Sequence, residues 1–169
     1  MKKITFILAL FLCGMSLWAQ KTDIKSMTIA GRSIKGVVDF NHSSSKPLVN
    51  MGDGIYIWYG YLYYDQHPTN TDANSKGFKF YVNGDTKSAN QIKPPADLVN
   101  PNSKAPLEIS TGVVHLVSYQ DHAIDRKFRL ISSNDDGYYK VTVDVSNLNE
   151  IKFRLDGVSG TFADLAALS

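Results

Sequence analysis

Apolar and polar residues alternate with a period of two along most of the chain, and Gly, Asn, Asp and Ser lie between the alternating segments. This period places successive side chains on opposite faces of a β-strand, and few stretches show helical spacing. The pattern predicts strands at residues 26–30, 33–40, 54–64, 77–83, 111–119, 127–132, 138–145 and 150–155. We therefore expect an all-β protein folded as an antiparallel β-sandwich.

Two polar segments in the C-terminal half have the composition of tight turns. Residues 134–137 read Asn-Asp-Asp-Gly, and residues 146–149 read Ser-Asn-Leu-Asn. Asn, Asp and Gly tolerate the positive φ angles that hairpins require. The two turns predict a meander of three antiparallel strands from residue 127 to residue 155.

Residues 84–110 form a long stretch with little periodicity, and it contains four of the six prolines of the chain. Long connections without secondary structure are uncommon in compact domains unless they are functional or disordered. We expect either a flap that contacts a ligand or a proline-stiffened surface crossover. The tail, residues 161–168, has the apolar spacing of a single helical turn.

The segment 55–64 is the richest in aromatic residues, and alternation divides its side chains between two faces. One face, which must pack against the second sheet, carries Tyr56, Trp58 and Leu62. The other face carries Tyr59, Tyr61 and Tyr63. Burial of such rings contributes several kcal/mol at about 25 cal/mol per Å². The second face is therefore expected to expose a row of tyrosines or to lie under the long loop.

The N-terminus resembles a secretory signal. Lys2 and Lys3 precede an apolar run at residues 4–12, and Ala19 is a small residue suited to cleavage. A transmembrane helix is the alternative, but the apolar run is short and a polar segment follows it. We predict a signal peptide at residues 1–19 and one mature domain at residues 20–169, exported to the periplasm, the cell surface or the medium.

The cysteine count and the net charge limit the kinds of chemistry and partner expected of the mature chain. Cys13 is the only cysteine and lies in the predicted signal, and Leu12 before it does not suit lipid attachment. Without Lys2 and Lys3, 16 basic residues balance 16 acidic ones. A neutral chain does not favour nucleic acid or an anionic membrane as a partner.

Catalytic patterns are not found in the sequence. The segment 157–160 resembles a serine-hydrolase elbow but lacks its spacing, and the four histidines show no one-turn helical pair. Asp121, His122 and Asp125 could orient a general base, but charged residues in a loop are commonly only solvated. We predict a protein that is not an enzyme and has no cofactor, with an undetected hydrolase as the weakest alternative.

Residues 70–74 alternate oxygen-bearing side chains in the manner of a calcium loop. The pattern then fails, because Ser75 stands at the position of the turn glycine and Tyr81 at that of the bidentate glutamate. We predict a flexible polar loop there and no metal site.

Exposed rings beside polar groups suit sugars, since a sugar has apolar C–H faces and a rim of hydroxyl groups. We predict a glycan-binding surface with these ligand-binding residues: Tyr59, Tyr61, Tyr63, Lys79 and Tyr119. The tyrosines could instead cover the sheet or meet a partner domain.

Several strands resemble those of SusE/SusF-type starch-binding domains of outer-membrane glycan-capture systems. The similar segments are Asp-Arg-Lys-Phe-Arg-Leu at 125–130, Gly-Tyr-Tyr-Lys-Val-Thr-Val-Asp-Val at 137–145, Ile-Lys-Phe at 151–153, Gly-Ile-Tyr-Ile-Trp-Tyr-Gly-Tyr-Leu at 54–62 and Gly-Phe-Lys-Phe at 77–80. The resemblance covers residues 34–153 and implies an immunoglobulin-like β-sandwich that binds glycan on aromatic residues. The loop 41–49 has no tryptophan where that family has its stacking residue.

Two functions follow as expectations. The first is an exported, non-catalytic carbohydrate-binding protein whose partners are an oligosaccharide or polysaccharide and other proteins of glycan uptake. The alternative is a structural or interaction protein that pairs its sheet with another exported or outer-membrane protein.

Overall fold

The computed structural model describes residues 23–40, 42–65, 76–84, 91–97, 99–119 and 124–159. The predicted signal peptide with Cys13, the calcium-like segment 70–74, the pair Asp121 and His122 and the tail 161–168 lie outside these ranges. Within them, no helix is long and apolar enough to cross a membrane.

Eleven strands account for most of the regular structure in the described ranges. They are β1 Met27–Ala30, β2 Lys46–Pro47, β3 Val49–Asn50, β4 Ile55–Leu62, β5 Lys79–Val82, β6 Gln91–Lys93, β7 Leu107–Ile109, β8 Val114–Tyr119, β9 Phe128–Leu130, β10 Gly137–Asp144 and β11 Ile151–Gly157. Short 3₁₀ turns lie at His42–Ser44 and Ser133–Asp135. The prediction of an all-β protein is confirmed.

Nine strands form one antiparallel sheet in the order β2-β1-β5-β6-β8-β11-β10-β4-β3. The two edge strands, β2 and β3, are consecutive in the chain and are separated only by Leu48, whose N–H donates to the carbonyl of Met27 at 2.9 Å. A second link is the bridge between Ile34 and Leu62. The sheet is therefore nearly closed and barrel-like. The predicted immunoglobulin-like sandwich is not confirmed.

The core lies inside this sheet and is dominated by inward-facing aromatic and aliphatic side chains. A cluster of phenylalanine rings, with centroids 4.9–6.0 Å apart, consists of Phe78, Phe80, Phe128 and Phe153. Each of these side chains is fully buried. Burial of large rings is the main source of stability in such a core.

The predicted strand at 33–40 is wrong. The chain turns there instead, since the N–H of Val37 donates to the carbonyl of Ile34 at 3.0 Å and Gly36 has a φ of 76°. That positive φ belongs to the left-handed region, which interrupts an extended strand. Pairing in this stretch is reduced to the single bridge at Ile34.

Of the predicted three-stranded meander, the second hairpin is confirmed and the first is wrong. β10 and β11 form an antiparallel hairpin, and its turn contains residues 146–149. β9, however, pairs in parallel with β7 and not with β10. The segment after β9 is a 3₁₀ turn with a capping box, in which Ser132 and Asp135 bond reciprocally. This local hydrogen bonding turns the chain without extending a ladder.

The stretch 84–110 is not the structureless loop that its sequence predicts. β6 is buried within the main sheet, and β7 pairs with β9. The segment between β6 and β7 is hydrogen-bonded to Arg126. The Nη1 of Arg126 donates to the carbonyl of Pro95 at 2.7 Å, and its Nε donates to the carbonyl of Ala105 at 3.0 Å. The described part of this stretch is therefore held against the barrel.

Candidate functional site

The two faces of β4 carry different side chains, as alternation predicts. Tyr56 and Leu62 are buried in the core, and Trp58 packs partly against it. On the outer face, Tyr59, Tyr61 and Tyr63 are half-buried. The strand thus presents a row of tyrosines on the outside of the barrel.

Tyr61 is the centre of a group of outer aromatic rings. Its centroid lies 4.8 Å from that of Tyr63, with planes inclined at 53°, and 4.9 Å from that of Tyr138, edge to face. Tyr138 stands directly opposite Tyr61 in the β4–β10 ladder. Edge-to-face rings at this distance attract each other, so the contact between Tyr61 and Tyr138 is favourable. Tyr138 was missed by the sequence analysis, although alternation with the buried Tyr139 places it outside.

The edge of β4 that faces away from β10 is open in its middle. β3 pairs with Tyr56 and Ile57, and further along the N–H of Lys35 donates to the carbonyl of Tyr61 at 3.0 Å. Peptide groups of alternate residues point to the same side of a strand. The N–H and C=O of Tyr59 therefore point into the gap, and no backbone partner for them lies among the described residues.

A cleft of about 470 Å³ lies at this gap, and we name it the aromatic cleft. Its volume falls in the usual range of ligand sites, roughly 300–1,000 Å³. It is lined by Lys35, Lys46, Trp58, Tyr59, Gly60, Tyr61 and Tyr138.

The charged groups of the aromatic cleft are lysines. Lys35 and Lys46 are exposed, and the Nζ of Lys35 lies 5.6 Å from the centroid of Tyr61, within reach of a cation–π contact. Lys140 stands directly opposite Tyr59 on the neighbouring strand. The cleft can therefore offer flat rings, ammonium groups and an open peptide edge to a ligand.

Gly60 sets the position of Trp58. A Cβ at residue 60 would lie 2.1 Å from Cζ2 of Trp58, so the indole ring occupies the space that a side chain would need. The absence of a side chain at this position lets the ring lie flat along the strand. Trp58 therefore contributes both to the core and to the wall of the aromatic cleft.

Two of the predicted ligand residues are not in the aromatic cleft. Tyr119 is 1% exposed and belongs to the core, so its assignment as a ligand-binding residue is corrected. Lys79 is also buried, because β5 is covered on both faces. Alternation could not reveal this, since a strand buried on both faces has no outer side.

Lys79 belongs instead to a lysine–aspartate cluster that consists of Phe40, Lys79, Tyr81, Asp125 and Lys127. The Nζ of Lys79 donates to Asp125 at 2.7 Å, and that of Lys127 lies 3.3 Å from the same carboxylate. Both ammonium groups approach the ring of Phe40, at 5.4 Å and 5.0 Å. The hydroxyl of Tyr81 donates to the carbonyl of Phe40.

Burial and charge act against each other in this cluster. Burial lowers the pKa of Lys79, and the hydrogen bond to Asp125 opposes that effect. Burial alone would raise the pKa of Asp125, but Lys79 and Lys127 outweigh it and lower the pKa. Burial also raises the pKa of Tyr81 to about 12. These groups satisfy one another, as structural buried charges do.

A second surface depression is lined by Asp23, Lys25, Ser26 and Asn83. The side chain of Asn83 accepts from the N–H groups of Lys25 and Ser26 and donates to the carbonyl of Asp23. The polar groups of Asn83 therefore hold the segment before β1 in place. In the described ranges, no three His, Asp, Glu or Cys side chains are grouped so that they could hold a metal ion.

Comparisons of the chain with profiles of known protein families, with curated protein sequences and with solved structures find no match. The resemblance to SusE/SusF-type domains stays a prediction based on the strand segments quoted above.

Proposed function

We propose that this is an exported, non-catalytic carbohydrate-binding protein whose ligand lies in the aromatic cleft. The observation that carries the proposal is that three outer rings, Tyr59, Tyr61 and Tyr138, line the cleft beside exposed ammonium groups and an open strand edge. A sugar ring has an apolar C–H face that packs on an aromatic ring, and its hydroxyls need donors and acceptors around that ring. The cleft supplies both kinds of group within one concave surface.

The packing of Tyr61 against two other rings supports this proposal. Tyr61 is held between two other tyrosines, so little side-chain freedom is lost when a ligand binds to it. Tyrosine also combines a large apolar face with a hydroxyl group, which suits an amphipathic ligand. Of the predicted ligand residues, Tyr59, Tyr61 and Tyr63 lie on this outer surface, and Tyr59 and Tyr61 line the cleft itself.

The proposal includes the resemblance to SusE/SusF-type domains and their immunoglobulin-like sandwich. β8 supports a two-layer arrangement, because it pairs with β11 at Val114–Val117 and with β6 at Ser118 and Tyr119. A strand shared in this way can form the corner between two packed sheets. We also propose that residues 1–19 direct export and that the protein acts with other exported proteins of glycan uptake.

The fluorescence of Trp58 provides a direct test. The chain has two tryptophans, Trp18 and Trp58, so Trp18→Phe in the full chain leaves Trp58, in the wall of the cleft, as its one tryptophan. We expect a saturable change of emission with at least one member of a panel of α- and β-glucans, mucin glycans and host glycans. If no member changes the emission of the folded protein, the proposal is wrong.

Variants of Tyr61 identify the surface that binds. Tyr61→Ala removes the central ring, and loss of such a buried contact is expected to weaken binding about tenfold or more. Tyr61→Phe keeps the ring and is expected to retain most of the affinity. Equal affinity of the alanine variant and the parent would place the ligand elsewhere.

An interaction protein is the second candidate, and exposed aliphatic side chains on β8 favour it. Val114 is 52% exposed and Leu116 is 59% exposed on the outer face of that strand. Exposed apolar groups of this kind can mark a contact with another protein. Light scattering tests this candidate through the molar mass of the protein in solution. A molar mass that rises with protein concentration, and that stays at the monomer value in the Leu116→Glu variant, would support an interaction protein. A monomer at all concentrations would count against self-association.

A further inference from the structure

We infer that the glycan bound in the aromatic cleft is anionic and carries uronate or sulfate groups. The inference rests on the proposed function and specifies its ligand class. It depends on the charged residues that line the cleft, which are of one sign.

Three lysines surround the outer rings. Lys35 and Lys46 line the cleft, and Lys140 faces Tyr59 across the ladder. No carboxylate is among the residues that line the cleft. Asp156, which lies opposite Lys140 on β11, accepts from Nε of Arg154 at 2.8 Å. The chain as a whole carries nearly balanced charge, so this grouping is local.

Several of the other described lysines have carboxylates beside them. Lys76 lies 2.6 Å from Asp65, Lys79 lies 2.7 Å from Asp125, and Lys152 lies 3.3 Å from Glu150. Lys35 and Lys46 have no ion pair of this kind within the part of the chain that the structure describes. Charges of one sign in a concave surface with apolar walls concentrate the field there and attract a ligand of opposite charge.

The remaining features of the cleft fit a sugar better than a simple anion. A small inorganic anion would not use the rings of Tyr59, Tyr61 and Trp58, which line the cleft. The open peptide group of Tyr59 is neutral and can bond a hydroxyl through its N–H or its C=O. Rings, a neutral peptide edge and flanking ammonium groups together match an acidic saccharide.

The lysines do not select between the two kinds of acidic group. An ammonium is a compact point charge, and it lacks the planar fork by which arginine matches a carboxylate. Uronate and sulfate esters are therefore both included in the inferred class, and the experiment separates them.

The test is the binding of matched charged and neutral polymers to the Trp18→Phe chain. One pair is polygalacturonate and its fully methyl-esterified form, and the other is chondroitin sulfate and its chemically desulfated form. The charge variant is Lys35→Gln with Lys46→Gln. The matched control is Lys25→Gln with Lys104→Gln, which changes net charge equally at exposed positions outside the cleft.

We expect at least one acidic polymer to bind more tightly than its neutral partner. The charge variant is expected to lose about three- to tenfold in affinity, as removal of two partly exposed charge contacts does, and the control less than twofold. Binding is also expected to weaken from 0.05 M to 0.5 M salt, because screening shortens the range of the attraction to about 5 Å or less. The polymer that shows these effects identifies the acidic group.

The inference and the proposed function fail in different ways. Equal binding of charged and neutral partners, unchanged in the charge variant, would overturn the anionic ligand and leave glycan binding intact. Loss of affinity in both double variants would also overturn the inference, because the effect would belong to net charge and not to the cleft. Failure of all four polymers and of the neutral panel to change Trp58 emission would overturn both.

Discussion

The aromatic cleft and the lysine–aspartate cluster are built from the same kinds of side chain, but they differ in burial and in charge balance. In the cleft, Lys35 lies over Tyr61 at 5.6 Å and is exposed. In the cluster, Lys79 lies 5.4 Å from both Phe40 and Tyr81, and Asp125 neutralises it. A lysine beside an aromatic ring is therefore not sufficient evidence for a ligand site.

The difference between the two regions follows from the cost of burying a charge. An ammonium that is removed from water requires a partner, so Lys79 can exist in the barrel only because Asp125 lies beside it. Lys35 and Lys46 stay hydrated and need no partner for stability. Their charges remain available to a ligand, and this is why the proposed binding surface is the cleft and not the cluster.

Removal of the carboxylate from the cluster should give the largest effect. Asp125→Ala leaves the buried ammonium groups of Lys79 and Lys127 without a carboxylate partner. It is expected to lower the free energy of unfolding by about 2 kcal/mol, less than for a fully buried pair because the carboxylate is 44% exposed. Lys79→Met should lower the free energy of unfolding by less, since the carboxylate of Asp125 still contacts Lys127 and water. Urea unfolding measures both, and equal costs would contradict the account.

A side chain at residue 60 should disturb the cleft. Gly60→Ala places a methyl group against the indole of Trp58 and is expected to cost about 1 kcal/mol, because the half-buried ring can move. The displaced ring should also change its emission spectrum and weaken glycan binding. An unchanged spectrum would show that Trp58 does not lie over Gly60.

The stability of the cluster should depend on pH in one direction. The pKa of Asp125 is held below its ordinary value of 3.8, so its contribution is present above that pH and is lost as the pH falls through the lowered value. The stability difference between the parent and Asp125→Asn should therefore be constant near neutral pH and shrink below about pH 3.8. A constant difference down to pH 2 would contradict the ion pair.

The lysines of the cleft should matter least for folding. Lys35→Gln with Lys46→Gln is expected to change the free energy of unfolding by about 0.5 kcal/mol or less, because exposed lysines without a partner contribute little. The same urea titration checks this. A loss similar to that of Asp125→Ala would mean that the two regions do not differ as described.

The sequence predicted the strands in which one face is buried. β4, β10 and β11 alternate clearly between core and surface, so their side chains could be placed before the structure was known. The outward position of Tyr59, Tyr61 and Tyr63 follows from the same period of two.

Closure of the sheet could not be predicted in this way. β2 and β3 have two residues each, too few for any period, and they close the sheet only because they contact β1 and β4. β5 and β6 are buried on both faces and give no alternation, which is why Lys79 was misplaced. Lys35 and Lys46 reach the cleft through turns and short strands whose position depends on tertiary contacts.

Backbone NMR of the labelled protein, titrated with the tightest-binding glycan, tests the contrast between the two regions most directly. We predict saturable shifts in the amide signals of Lys35, Lys46, Tyr59 and Tyr61, and none in those of Lys79, Asp125 and Lys127. Shifts confined to the lysine–aspartate cluster, or none at the aromatic cleft while the glycan binds, would contradict the account.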